Sequence, residues 1–238
     1  MTPEAGGHEP PERHPHGGDW LRDVVLGLND GLVTTLVFVM TLGGATGSRH
    51  VLVTSALAEL LAGGVSMAFG GFLAARADAE ILAARIATER HEIQTEPDEE
   101  RRELRTIYRR KGFSGGLLEA IIAHQTATPE RWLAAMLHDE HGITPESGRP
   151  PLRAGALVGL SFMAGALVPI LPFLWALPRL AAAAVSFVLT AAAAMALGAL
   201  KSRHTLRGAL RSGVEFLLLA SIGAALGTVV GHLIRGRA

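Results

Sequence analysis

The segment SMAFGGFLAARADAEILAARIATERHEIQTEPDEERRE, residues 66–103, carries an apolar membrane-type pattern directly into a carboxylate-rich one. Upstream of it, Val51 to Ala75 has spanning length and holds Glu59 and Met67. From Phe72 through Ile93 there is no Gly or Pro, Ala and Leu abound, and charged residues become frequent. Such a stretch predicts one helix that leaves a bilayer and projects into water. Pro97 ends it. With Thr95 as N-cap, Pro97 in the first turn and Asp98, Glu99 and Glu100 following, a new helix is predicted from about residue 96 to Lys111.

Outward from this segment, the same alternation of apolar runs and punctuation organises the chain. Val24 to Leu42 reads as a first span, since ~20 apolar residues cross a ~30 Å hydrocarbon core. Downstream, Gly112 and Ser114 introduce a short helix with Leu117, Leu118, Ile121 and Ile122, and Thr128-Pro129 starts another through Trp132, Met136 and Leu137. Gly142 and Pro145 close that module, and residues 146–153 form a Pro/Arg linker. Ala154 to Trp175, interrupted by Pro169 and Pro172, Leu180 to Leu200, and Val214 to Leu233 read as the third to fifth spans. Gly27/Gly31 and the row Gly223, Gly227 and Gly231 have the small-xxx-small spacing of closely packed membrane helices.

Composition agrees with a membrane class. Of 238 residues 49% are hydrophobic and only 18% charged, and mean hydropathy is positive at +0.31. The net charge of zero hides acids concentrated between Asp78 and Glu103, so charge speaks of topology rather than nucleic acid. Without cysteine, any metal must be held by oxygen, nitrogen or thioether. Residues 1–19 read as a disordered tail, with no basic segment leading into an apolar one and three incidental His, His8, His14 and His16. Lys201, Arg203, Arg207, Arg211, Arg149 and Arg153 flank one set of span ends, against Arg49 and Arg179 at the other; this places the amino terminus and the acidic insert in the cytoplasm. Arg235 and Arg237 weigh the other way.

Four acids of the insert form two pairs at three-residue spacing, Glu89 with Glu92 and Glu100 with Glu103. Each pair lies on one helix face and can grip one ion; the plain alternative is a solvated acidic face, and Glu100 also suits a helix first turn. Met136 and Glu140, four residues apart, add a thioether and a carboxylate, which favours ferrous iron or manganese over Mg²⁺ or Ca²⁺. His91, His138 and His141 are near enough to be accessory and are left outside the ligand set. In the first span, Asp30 is an acid at membrane depth, which costs roughly 2.5–3.5 kcal/mol on insertion scales and calls for a cation or proton. The alternative is a snorkelling side chain.

GLNDGLVT at 27–34, SMAFG at 66–70, the two acid pairs, ELRTIY at 103–108 and MLHDEHG at 136–142 resemble the vacuolar iron transporter family, which includes the yeast calcium-cross-complementer transporters. The resemblance covers residues 20–235 and suggests a member of bacterial type. It implies a homodimer of five-span subunits, with the second span prolonged into a cytoplasmic three-helix metal-binding domain. The implied activity is export of Fe²⁺, and also Mn²⁺, from the cytosol in exchange for protons. By position, the family's cytoplasmic ligands fall on Glu89, Glu92, Glu100, Glu103, Met136 and Glu140, and its path residues on Asp30 and Met67. The departures are Gly71, where many members have Glu, and Phe72 in place of Tyr. Glu59 and Glu215 are substitutes that no motif places.

The expectation is therefore an all-α polytopic membrane protein: a tail (1–19), spans 1–2 (20–78), a cytoplasmic helical metal-binding module (79–145) and spans 3–5 (146–238). It is expected to be a transporter rather than an enzyme, without a resident cofactor, in a bacterial plasma membrane. Its partners are Fe²⁺ or Mn²⁺, protons, lipid and a second copy of itself, not nucleic acid. A membrane-tethered ferroxidase is the enzyme alternative, weakened because no Glu-x-x-His of a di-iron bundle occurs in the insert. A non-transporting iron sensor or store is the third reading.

Overall fold

The computed structural model describes residues 18–143, 148–175, 177–202 and 209–235. Its helices are α1 (Gly18–Ala45), α2 (Arg49–Thr95), α3 (Pro97–Arg110), α4 (Gly115–Gln125), α5 (Pro129–Asp139), α6 (Pro151–Leu174), α7 (Arg179–Ser202) and α8 (Ala209–Arg235), with no strand among the described residues. Four of them, Trp20–Ala45, Arg49–Thr95, Pro151–Leu174 and Arg179–Leu200, are long and apolar enough to cross a membrane. In α8, the described apolar portion is Ser221–Arg235. The expected continuity after the second apolar run is present: α2 is a single helix of 47 residues.

Two local expectations change. The N-cap of α3 is Glu96 rather than Thr95, because the Thr95 hydroxyl is spent inside its own helix, donating to the His91 carbonyl at 3.0 Å. Pro169 and Pro172 do not interrupt α6, which runs through both to Leu174. Packing holds the helix through both, and α7 adds a buried bond there, the Ser186 hydroxyl donating to the Pro169 carbonyl at 2.8 Å.

The chain divides into two compact units. The first comprises residues up to Met67 and from Leu157 onward. Its centre is α1, and its close approaches are made by glycine. A Cβ on Gly27 would lie 2.3 Å from the Val158 carbonyl oxygen, and one on Gly31 would lie 2.1 Å from that of Phe162, so α6 touches α1 backbone to backbone. Gly227 and Gly231 bring α8 equally close to Val37 and Thr41. The Gly27/Gly31 pair is thus used within one chain and is no argument for assembly. Val39, Leu52, Leu60, Phe162, Ile170 and Phe173 fill the core, with Met67 packed against it. Helix ends are closed by basic side chains: Arg49 donates to the Phe173 carbonyl at 2.8 Å, and Arg179 to those of Gly43 and Thr46.

The second unit is residues 68–156. Leu104, Tyr108, Leu118, Ile122, Trp132, Ala135 and Met136 of α3, α4 and α5 form its core, with Ile93 of α2 packed against them. A polar clasp closes it. Lys111 pairs with Asp139 and lies over the Tyr108 ring, whose hydroxyl accepts from Gln125 at 3.2 Å. Lys111, Tyr108 and His138 hold the Asp139 carboxyl below its usual range against the opposing effect of burial.

The glycine contacts yield a paired test. Gly31→Ala forces α1 from α6 and is expected to cost about 1–3 kcal/mol, as overpacking does. Gly70→Ala, whose Cβ meets nothing within 4 Å, is expected to gain up to about 1 kcal/mol from helix propensity. Thermal unfolding in detergent reads both; an unchanged midpoint for Gly31→Ala contradicts the close approach.

Candidate metal centre

The second half of α2 and the start of α3 run acids past one another because Pro97 forces a turn between them. Glu89 and Glu92 lie before it and Glu100 and Glu103 after it. Glu89 is 3% and Glu100 5% exposed, unusual for carboxylates. Glu89 Oε1 and Glu100 Oε2 are buried and have no hydrogen-bond partner. An unpaired buried carboxylate oxygen is costly, and two acceptors in contact are satisfied only by a proton or a cation. That is the chemistry of a cation site.

The rest of the constellation converges on the same place. Burial first, then the Glu89 carboxyl, toward which a proton on Glu100 can be donated, and the charges of Glu89, Glu103 and Glu92 push Glu100 up to about 8. Burial raises Glu140; His141 pulls it back, and Glu89, Glu103 and Glu92 push it up again. Glu100 and Glu140 therefore each sense Glu89, Glu92 and Glu103. Glu140 is the C-cap of α5, its N–H bonded to the Met136 carbonyl at 2.9 Å. Met136 itself is 0% exposed and belongs to the apolar core of α3, α4 and α5.

One residue at the centre was set aside in the sequence. His141 Nε2 lies 3.1 Å from Glu89 Oε2, and Glu89, Glu140 and His141 each offer a ligand atom within 4.8 Å of the others. Its signal was weak because a solvent-facing histidine in a charged segment needs no ligand role.

In the first unit, Asp30 of α1 is half-buried, accepts from the Thr34 hydroxyl at 3.4 Å and is an electrostatic neighbour of Glu59. The buried Thr35 hydroxyl donates to Glu59 Oε2 at 2.9 Å, joining α1 to α2. Glu59, which no motif placed, thus sits by Asp30. Asp23 is a further buried acid of α1, just before the apolar run. Met67 is partly buried against the core. The side chain of Glu215, residues 1–17 and residues 203–208 lie outside the described residues.

A family model described as VIT family matches residues 21–232. The chain belongs to the VIT family. Among its relatives, "Vacuolar iron transporter 2" of Oryza sativa subsp. japonica is 32% identical over 194 residues, 82% of this chain and 79% of that protein. "Vacuolar iron transporter 1" of Arabidopsis thaliana is 28% identical over 225 residues, 93% of this chain and 90% of that protein. "Protein CCC1" of Saccharomyces cerevisiae is 26% identical over 156 residues, 64% of this chain and 48% of that protein. The five acids, Met136, Asp30 and Met67 all lie inside the VIT-family match.

The charge balance of this VIT-family centre sets a pH dependence. With Glu100 at about 8 instead of its ordinary 4.5, the folded apo protein binds more protons than the unfolded chain between those values, so its stability falls as pH rises through that window. A cation must displace that proton, so Mn²⁺ affinity should rise from pH 6.5 to 8 and level off above. Calorimetry in two buffers of different ionisation heat should show proton release at pH 7. Glu100→Gln should abolish that release and lower Mn²⁺ affinity at least about tenfold. A wild-type affinity flat in pH would remove Glu100 from the site.

Proposed function

We propose that this protein is a divalent transition-metal transporter that carries Fe²⁺, with Mn²⁺ as a second cargo, out of the cytosol in exchange for protons. The observation that carries the reading is the pair of buried carboxylate oxygens, on Glu89 and Glu100, that no group of the protein satisfies. Family membership and the relatives' names as iron transporters support the cargo.

In this reading Glu89, Glu92, Glu100, Glu103, Met136 and Glu140 capture the ion on the cytosolic side. Carboxylates offer charge and hard oxygen; the thioether tilts preference from Mg²⁺ toward first-row ions. The ion then passes Asp30 and Met67 in the membrane region, where a carboxylate replaces lost hydration and also accepts the counter-transported proton. Glu59 beside Asp30 takes the place of the acid missing at Gly71. α8 serves as the fifth span, the amino terminus faces the cytosol, and two copies assemble as a homodimer. A ferroxidase has no use for Asp30 and Met67, and a sensor or store predicts binding without flux.

Proteoliposomes loaded with a metal-quenched dye and a pH dye test this. Wild-type protein should move Fe²⁺ inward and protons outward on an imposed gradient. Asp30→Asn should cut exchange by more than about tenfold, as expected where a membrane carboxylate has its charge removed, while metal binding by the full chain stays within twofold. Normal flux in Asp30→Asn would return Asp30 to a snorkelling role; binding without flux in wild type would favour the store.

A further inference from the structure

We propose that His141 is a metal ligand of the acidic centre, making it a mixed nitrogen–oxygen site and setting its discrimination against Mg²⁺ and Ca²⁺. The inference rests on the capture reading above and adds a ligand to it.

Three observations place the imidazole. Nε2 of His141 is 3.1 Å from Glu89 Oε2, and the ligand atoms of Glu89, Glu140 and His141 fit within 4.8 Å of one another, a spacing that one ion can bridge. Glu89, 3% exposed, keeps its second oxygen, Oε1, buried and without a partner, so the hydrogen bond from His141 leaves half of that carboxylate unsatisfied. The backbone then fixes the ring's origin. Gly142 adopts φ +65°, and its N–H bonds to the His138 carbonyl at 3.1 Å, the left-handed cap that ends a helix sharply. The Ile143 N–H adds a bond to the Leu137 carbonyl at 2.8 Å. His141 is thereby held in the last helical turn, between the i→i−4 bonds of Glu140 and Gly142, and the chain leaves α5 just after it.

The chemistry follows from donor type. Carboxylates bind Mg²⁺, Ca²⁺ and Mn²⁺ with little discrimination, whereas imidazole favours first-row transition ions and adds little for the alkaline earths. An ion entering between Glu89 and Glu140 replaces the histidine's hydrogen bond to Glu89 with coordination by Nε2.

Pulsed EPR on Mn²⁺ bound substoichiometrically to the full-length protein in detergent reads this directly. Wild type should show ¹⁴N modulation that changes on ¹⁵N-histidine labelling. It should vanish in His141→Gln, which can still donate to Glu89, and persist in His138→Gln. His141→Gln should lose about tenfold in Mn²⁺ affinity, on the scale of lost metal-site groups, with under about threefold change for Mg²⁺. Mn²⁺ bound with Glu89-dependent affinity but without nitrogen modulation, or modulation that survives His141→Gln, overturns the inference and leaves the acidic site standing. Mn²⁺ affinity indifferent to both Glu89→Gln and Glu100→Gln overturns the capture reading and this ligand with it.

Discussion

Two buried carboxylates, each with one oxygen that no hydrogen bond reaches, are the constraint on which the second unit depends. Removing an ionised carboxylate from solvent costs several kcal/mol even after relaxation, and attraction to an opposite charge is what offsets it. The charges of Glu89, Glu103 and Glu92 all oppose ionisation of Glu100, and the His141 ring stands against Glu89. The apo protein meets this by retaining a proton on Glu100. A cation relieves the same strain more fully, so ion and proton compete for one place. That competition is the physical content of a site that must both take and release its ion.

The scaffold tolerates the cost because other contacts hold the unit closed. The core of Leu104, Tyr108, Ile122, Trp132 and Met136 and the Lys111–Asp139–Tyr108 clasp fix α3, α4 and α5 without using any of the five acids. Met136 aside, which belongs both to that core and to the proposed ligand set, stability and ion capture are thus carried by different residues. In the first unit the separation is similar: glycine contacts of α1 with α6 and α8 set the packing, leaving Asp30, Thr35 and Glu59 to supply polarity.

Much of this was legible in the sequence because the decisive signals are local. Absence of Gly and Pro from Phe72 to Ile93 foretold the unbroken α2, and Pro97 foretold the break between the two acid pairs, though not that they meet. What stayed hidden depends on partners far away in the chain. Gly27 and Gly31 showed the spacing of a helix contact, yet nothing in that spacing names α6 as the neighbour. Pro169 and Pro172 looked like an interruption because the packing that carries α6 through them, Ile170 and Phe173 in the core and Ser186 of α7 on the Pro169 carbonyl, comes from elsewhere in the chain. Glu59 had no motif, and its tie to Thr35 crosses between helices. His141 stood in a charged segment where a solvent-facing histidine is the ordinary reading, and the Glu89 that it meets lies 52 residues away in the chain.

The central claim is that the unsatisfied oxygens of Glu89 and Glu100 exist to hold a divalent transition ion. An anomalous-scattering map of the full-length protein grown anaerobically with Fe²⁺, recorded on both sides of the iron edge, tests it most directly. The account predicts an iron peak within coordination distance of both carboxylates, about 2.0–2.3 Å from oxygen by analogy with other divalent ions. A map with Glu89 and Glu100 joined by a carboxyl–carboxylate hydrogen bond at saturating Fe²⁺, and no peak between them, would contradict it.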